Sequence, residues 1–207
     1  MTTLIIARHG NTFNPGEPPR RIGGHTDLPL VETGRAQARA LGRHLKQQSL
    51  IPDLAFSSQQ QRTIETAALA LTELGTGLIA QPLAGLNELD YGPDENQPEE
   101  RVVARLGAQA LTDWDEKAIV PPGWQINPKT LKRFWADFAG TLAIEQPGKI
   151  ILVVTSNGTA RFAPYITGTY ESFSARFSLK LATGAYGVLR HNGYVWQTSA
   201  WNERPAP

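Results

Sequence analysis

Strand-like and helix-like segments alternate along most of this chain, and the alternation constrains the fold more than any other feature. The apolar runs at residues 4–7 and 150–154 have the length of buried strands, and the helical segments between them carry apolar residues on one face. Alternating strands and helices are typical of βαβ units around a parallel sheet. We therefore predict a three-layer α/β/α fold with a mostly parallel central sheet.

The expected strands cover residues 4–7, 54–56, 78–83, 149–155, 185–190 and 194–199, and the expected helices cover 33–48, 58–74 and 99–114, with a further helix starting at Asn127-Pro128. A capping-box pattern at residues 58–61 predicts where the second helix starts, and Gly75 predicts where it ends.

The proline-rich segment from about 94 to 128 interrupts the alternation. We interpret it as a small helical insertion over the sheet, within a single domain of residues 1–207.

The composition narrows the possible partners and cofactors. The formal net charge is +1, 41% of the residues are hydrophobic, and no apolar stretch is long enough to span a bilayer. The chain has no cysteine, and its four histidines lack metal-ligand spacing. A signal-peptide pattern is also lacking. We expect a cytoplasmic protein that needs no metal or cofactor and binds neither nucleic acid nor membranes.

The first strand ends in the triplet Arg8-His9-Gly10. In open α/β sheets, ligands bind beyond the carboxyl ends of the strands, so these residues are expected at a ligand crevice. An arginine fork suits phosphate, and histidine is a nucleophile or proton carrier near neutral pH. The glycine allows the backbone to approach a ligand closely. The triplet therefore indicates an anion site.

Three other junctions carry residues of the same kind. Arg62 falls in the first turn of the helix after Ser57-Ser58, Glu88 follows the third strand, and Asn157 follows the central strand. Two arginines and helix N-terminal amides that converge on His9 would bind a phosphoryl group. Histidine can accept that group covalently, and Glu88 can protonate the leaving oxygen and then deprotonate the attacking water.

These motifs together resemble the histidine phosphatase superfamily, which has the phosphoglycerate mutase-like fold. The triplet at residues 8–10 is similar to the family signature. Further similar segments cover most of the chain in the family's order, at residues 21–30, 32–38, 57–66, 86–92 and 153–158. The resemblance implies that His9 is the phosphorylated nucleophile, that Arg8 and Arg62 hold the phosphoryl oxygens, and that Glu88 is the proton donor.

The same resemblance suggests further substrate-binding residues. Gly23 and Gly24 stand where the family approaches the substrate with backbone groups, and Tyr91 stands where some mutases line the pocket. Asn14 corresponds to a loop asparagine of the phosphate pocket, although it follows His9 by five residues, whereas the family usually has six.

Asn157 is the larger departure from the family pattern. The family usually has a second histidine in a Ser-His-Gly context, and here the segment is Ser156-Asn157-Gly158. Asparagine can donate a neutral hydrogen bond, which is about half as strong as a charge-assisted one, so a loss of about 1–3 kcal/mol of transition-state stabilisation is expected. His25 in the first loop either replaces the second histidine as a donor to the phosphoryl group or is an exposed residue without a role in the site.

Our first hypothesis is a metal-independent phosphatase that hydrolyses a phosphomonoester of a small metabolite. Residues 94–128 offer Arg101 and Arg105 but not the lysine and paired arginines with which glycolytic mutases grip a bisphosphorylated acid, so hydrolysis is favoured over mutase-type transfer. There are three alternatives: mutase-type phosphoryl transfer, a catalytically weakened module that binds phosphate esters and in which Asn157 marks the lost chemistry, and a site that catalyses a different reaction. The oligomeric state stays open, a homodimer included.

Overall fold

The central sheet is mixed and mostly parallel, as the sequence predicts. The structure, a computed structural model, describes residues 1–168 and 170–206. Its strands are β1 (Thr2–Arg8), β2 (Leu54–Ser57), β3 (Gln81–Pro82), β4 (Ile150–Thr155), β5 (Tyr186–His191) and β6 (Trp196–Glu203). In the described part of the chain they form one sheet in the order β3-β2-β4-β1-β5-β6. The first four strands run parallel, and β5 and β6 are antiparallel additions at one edge.

Helices cover both faces of this sheet. They are α1 (Glu32–Gln47), α2 (Gln61–Leu74), α3 (Glu99–Leu106), α4 (Ala108–Lys117), α5 (Pro128–Glu145), α6 (Asn157–Ala160) and α7 (Tyr170–Ser174). Alternate residues of β1 enter two different cores: Ile5 packs with Leu41 of α1 and Leu71 of α2, whereas Leu4 belongs to the core of Trp135 in α5. The expected three-layer α/β/α architecture is confirmed. No helix among the described residues is long and apolar enough to cross a membrane.

The register of the two central strands brings the predicted motifs together. Strand β1 pairs with β4 so that Arg8 lies opposite Thr155. The backbone N–H of His9 then donates to the carbonyl oxygen of Thr155 at 3.1 Å. Parallel strands in this register end at the same edge, so the loop after Arg8 meets the segment that contains Asn157.

The start of α5 follows from its sequence. The side chain of Asn127 accepts hydrogen bonds from the backbone N–H groups of Lys129 at 3.0 Å and Thr130 at 3.3 Å, and Pro128 occupies the first turn. Two turns further on, the fully buried indole of Trp135 donates to the carbonyl oxygen of Thr159 at 3.0 Å. This contact fixes α5 against α6, which begins at Asn157.

Three expected elements differ from the structure. The single helix expected over 99–114 is two helices, because Gly107 lies at φ +80°, outside the helical region. The strand expected over 78–83 is limited to Gln81–Pro82, and proline cannot donate to a strand ladder. Ser58 does not cap α2 as the capping box predicts. Its hydroxyl accepts from the N–H of Gln60, the residue that precedes the helix.

Removing the cap of α5 should destabilise the protein without changing the site. We expect Asn127→Ala to lower the free energy of unfolding by about 1 kcal/mol, because two N–H groups lose their acceptor. The measurement is urea unfolding, with the exposed Lys129→Ala in the same turn as control, expected within about 0.5 kcal/mol of wild type. Equal stability of the two variants would contradict this account of the helix start.

Candidate active site

A cavity of about 560 Å³ opens where β1 and β4 end. Several residues predicted from the sequence to form a site line it, namely Arg8, His9, Asn14, Glu88, Tyr91 and Asn157. They come from four separate parts of the chain, and the shared edge of the parallel strands brings them together. Among the described residues, no group of three or more His, Asp or Glu side chains is placed to hold a metal ion.

His9 is held as a neutral imidazole in one tautomer. Its side chain is 6% exposed, and Nδ1 lies 2.7 Å from the carbonyl oxygen of Gly10. Burial, followed by the charges of Arg62 and Arg8, lowers the pKa of His9 well below its usual range. A carbonyl can only accept, so the single ring proton lies on Nδ1. The electron pair on Nε2 therefore stays free, and no described residue donates to it.

Motif residues from two helices hold the loop that carries His9. The N–H of Gly10 donates to the Thr66 hydroxyl at 3.2 Å, and the N–H of Asn11 donates to Oε1 of Gln37 at 2.8 Å. A Cβ on Gly10 would overlap the backbone oxygen of Gly34, so the backbone of this loop lies directly on the first turns of α1. No residue of the segments 32–38 and 57–66 lines the cavity, and these segments position the imidazole through the loop that carries it.

Two guanidinium groups flank His9 and keep unused donors. Arg8 donates through Nη1 to the carbonyl oxygen of Leu181 at 2.8 Å. Arg62 is fully buried and donates to the carbonyl oxygens of Thr26 at 2.9 Å and Gly23 at 3.3 Å. The Nε atoms of both arginines are buried without a partner in the described part of the structure. Burial lowers the pKa of each arginine, and the negative charge of Glu88 raises it. Both remain cations at neutral pH.

Backbone groups orient the carboxylate of Glu88. Oε1 accepts from the N–H of Leu89 at 3.0 Å, and Oε2 accepts from the N–H of Gly158 at 3.2 Å. A Cβ on Gly158 would overlap Oε1 and crowd the hydroxyl of Tyr91, so a larger residue there would displace the carboxylate. Burial raises the pKa of Tyr91, which therefore presents a protonated hydroxyl beside Glu88.

Asn157 faces the same cavity and is held by the backbone. Its Oδ1 accepts from the N–H of Leu181 at 2.9 Å. The carbonyl of the same leucine accepts from Arg8, so one loop residue contacts both predicted site residues.

Other predicted site residues are placed differently. Arg62 does not line the cavity and lies behind His9, where loop carbonyls occupy its Nη atoms. Gly23 and Gly24 do not reach the cavity either, because the Gly23 N–H donates to Glu95 and the Gly24 N–H donates to the carbonyl of Leu89. Both glycines hold neighbouring segments together, and neither offers a free N–H to a ligand.

Two residues of the first loop already have partners. Asn14 lies at the cavity rim, where its amide nitrogen donates to Oε1 of Glu17 at 2.8 Å. His25, one candidate for a substitute donor, is 70% exposed, pairs with Asp90 at 3.1 Å and does not line the cavity. The His25 imidazole is thus directed away from the phosphoryl-binding end.

Sequence reasoning missed several residues that shape the site. The amide of Gln60 accepts from the N–H of Glu88 at 3.0 Å and donates to the Gly23 carbonyl at 3.1 Å, which connects α2 to the glutamate segment. Arg161 is 1% exposed, stacks on Trp114 at 4.1 Å and binds Asp115 at 3.2 Å. Its position four residues after Asn157 was the available signal, because one helical turn separates them.

The buried neutral His9 should make the protein less stable in acid. The unfolded chain takes up a proton below the usual histidine pKa of about 6.5, whereas the folded protein does not, so the free energy of unfolding falls as the pH drops below that value. His9→Gln removes this term and should lose less stability between about pH 7.5 and 5.5, by up to about 1.4 kcal/mol per pH unit. Urea unfolding at the two pH values measures it.

The exposed Gln47→Ala, which changes no titratable group, is the control and should follow wild type. Identical pH dependence in His9→Gln and wild type would contradict the assignment of a neutral, buried imidazole.

Comparison with known proteins identifies the family. The family model described as the histidine phosphatase superfamily (branch 1) matches residues 4–204. A 2,3-bisphosphoglycerate-dependent phosphoglycerate mutase of Methylorubrum populi is 35% identical over 191 residues, which cover 90% of this chain and 88% of that protein.

Solved structures of similar fold include two phosphatases. A mycobacterial glucosyl-3-phosphoglycerate phosphatase in complex with VO3 aligns with a TM-score of 0.78 and 23% identity, covering 97% of this chain and 98% of that one. A phosphoserine phosphatase from Entamoeba histolytica in complex with 3-phosphoglyceric acid aligns with a TM-score of 0.76 and 18% identity, covering 98% of each chain. With this fold and a family match over nearly its whole length, the chain belongs to the histidine phosphatase superfamily (branch 1).

Proposed function

We propose that this protein is a metal-independent phosphatase that hydrolyses a small phosphomonoester through a phosphohistidine on His9. The observation that carries the proposal is the neutral imidazole of His9, whose Nε2 electron pair is unused in a cavity shared with Arg8 and Glu88. The two guanidinium groups beside it supply the positive charge that a phosphoryl group needs. The names of the relatives, which act on or bind phosphorylated small molecules, favour the same chemistry.

In the first step, Nε2 of His9 attacks phosphorus, and the bond between phosphorus and the ester oxygen breaks. Glu88, entering the step protonated, donates its proton to the leaving oxygen. The donors of Arg8 and the amide of Asn157 bind the phosphoryl oxygens as charge develops on them, and the buried cation of Arg62 stabilises that charge from outside the cavity. The alcohol leaves, and the phosphoryl group remains on His9.

In the second step, Glu88 acts as the base. Its carboxylate takes a proton from a water molecule, whose oxygen attacks phosphorus while the bond to Nε2 breaks. Inorganic phosphate leaves, His9 returns to the neutral imidazole, and Glu88 is protonated again. The hydrogen bond from Nδ1 to the Gly10 carbonyl persists throughout, so the ring keeps its orientation.

The outer part of the cavity favours hydrolysis of a monoester. Most of its charged side chains are paired: Arg21 binds Glu99 at 2.7 Å, and Lys180 lies 3.7 Å from Asp115, whereas Arg20 donates to the backbone carbonyl of Asn96. Apolar residues complete this wall, namely Phe13, Pro15, Pro19, Ile22 and Leu111. A wall with one arginine outside an ion pair and several apolar residues suits an uncharged leaving group better than a second phosphate.

Mutase-type transfer is the second candidate, because the relative from Methylorubrum populi carries that name. Transfer between two positions of a phosphorylated acid requires cations for its other anionic groups. Arg105 is not available for this purpose, since it binds Asp94 and the carbonyl of Pro122, and Arg101 does not line the cavity. The charges of residues 94–128 therefore support hydrolysis.

Trapping the intermediate tests the proposal. Wild type, quenched during turnover of an aryl phosphate, should contain acid-labile, base-stable phosphoprotein, and His9→Ala should contain none and show no turnover. Glu88→Gln should lose about 10²–10⁴ in kcat/KM, which reports phosphorylation of His9, with an alkyl phosphate and about tenfold or less with an aryl phosphate, whose leaving group needs no proton. The exposed Glu100→Gln is the matched control, expected to behave as wild type.

Other outcomes would redirect the assignment. Turnover that survives in His9→Ala would remove His9 as nucleophile. Interconversion of phosphoglycerates without release of phosphate would favour the mutase. Binding of phosphate esters without turnover or trapped phosphoprotein would indicate a binding module.

A further inference from the structure

We propose that Asn157 is a neutral phosphoryl-binding donor whose orientation is set by the peptide groups of Leu181. The inference rests on the proposed function and concerns how this site binds the phosphoryl group with an amide. It differs from the expectation that Asn157 marks weakened chemistry, because the surrounding backbone is complementary to a neutral side chain at this position.

The orientation of the amide follows from its contact with Leu181. The N–H of that residue lies 2.9 Å from Asn157 and can only donate, so the side-chain atom facing it is the acceptor Oδ1. The other amide atom, Nδ2, then points away from Leu181, and no described residue accepts a hydrogen bond from it. Since Asn157 lines the cavity with Arg8 and His9, we place this N–H₂ donor at the phosphoryl-binding end.

Leu181 is itself rigidly placed. Its side chain is fully buried, and its carbonyl oxygen accepts from Nη1 of Arg8 at 2.8 Å. Leu181 therefore accepts a hydrogen bond from Arg8 and donates one to Asn157, the two side chains that bind the phosphoryl group. The donors of Arg8 and Asn157 are held in a fixed relation before any ligand binds, which lowers the cost of ordering them.

The same contact disfavours a cation at position 157. A protonated imidazole carries N–H on both ring nitrogens, so one of them would face the N–H of Leu181. A neutral imidazole fits, with one nitrogen accepting from Leu181 and the other donating to the ligand. The position therefore accommodates a side chain that accepts on one side and donates on the other, as asparagine does.

The charges around the cavity point in the same direction. The charged and titratable groups that line the cavity or act on Arg8 and His9 are Arg8, His9, Arg20, Arg21, Arg62, Glu88, Tyr91, Glu99, Asp115, Arg161 and Lys180. Arg161 lies one helical turn from Asn157, is buried, and lowers the pKa of Arg8 by its charge. Glu88 attracts a cation, but its oxygens already accept from Leu89 and Gly158. Guanidinium groups thus already supply the positive charge.

Asn157→Asp is the sharpest test. The aspartate has the shape of asparagine and keeps the oxygen that accepts from the N–H of Leu181, but an anionic oxygen replaces the Nδ2 donor. The probes are the affinity for orthovanadate and inorganic phosphate by calorimetry, and kcat/KM for a phosphomonoester. We expect Asn157→Asp to lower affinity and kcat/KM at least about 100-fold, and Asn157→Ala about tenfold.

Asn202→Asp is the matched control. Its Oδ1 accepts from the N–H of Ala182 at 2.7 Å, one residue beyond Leu181, and Asn202 does not line the cavity. The variant adds the same charge next to the same loop, from strand β6, with the same kind of contact. Affinity and kcat/KM should stay within about threefold of wild type.

Asn157→His tests the neutrality of the position. We expect no added limb in its kcat/KM profile between about pH 5.5 and 7.5, because the introduced imidazole stays neutral. Nitrogen-15 spectra of this variant at pH 7 should show one unprotonated ring nitrogen. A tenfold gain in kcat/KM, or a doubly protonated introduced ring at that pH, would overturn the proposal.

The remaining outcomes separate this inference from the proposed function. If Asn157→Asp binds vanadate and turns over substrate as the wild type does, while His9→Ala is inactive, the proposed role of Asn157 is overturned. The assignment as a phosphatase is then unaffected. If the vanadate affinities of the variants fall in the expected order but the wild type turns over no substrate, the donor role of Asn157 is supported and the phosphatase assignment is overturned. Wild type that binds neither vanadate nor phosphate overturns the inference.

Discussion

His9 donates its one ring proton to the carbonyl oxygen of Gly10, at 2.7 Å, in a site where burial and two guanidinium groups keep the imidazole neutral. The Nε2 electron pair that remains is the nucleophile of the proposed reaction. The same arginines that hold His9 neutral supply the charge for binding a phosphoryl group. The cost is two buried cations whose Nε donors have no partner among the described residues.

The rest of the fold serves this geometry. The register of β1 against β4 brings the loop of His9 to the segment of Asn157, and the close approach of Gly10 to Gly34 seats that loop on α1. Gly158 leaves room for the carboxylate of Glu88. These positions explain why motif segments extend well beyond the residues that could touch a ligand.

Sequence patterns predicted the architecture, because hydrophobic periodicity and helix signals are local properties. They also singled out His9, Arg8, Glu88 and Asn157, which share the cavity because parallel strands end at one edge. The break at Gly107 was missed, since the apolar pattern continues across it. The contacts of Leu181 and Gln60 could not be anticipated, because they join distant segments through backbone groups.

The protonation state of His9 tests the account most directly. Nitrogen-15 spectra of histidine-labelled protein, with the signal assigned by its loss in His9→Gln, report both ring nitrogens. We predict a proton on Nδ1 and an unprotonated Nε2 at pH 6, where an ordinary histidine of pKa about 6.5 is mostly charged. An imidazolium at that pH, or a neutral ring with its proton on Nε2, would contradict the account.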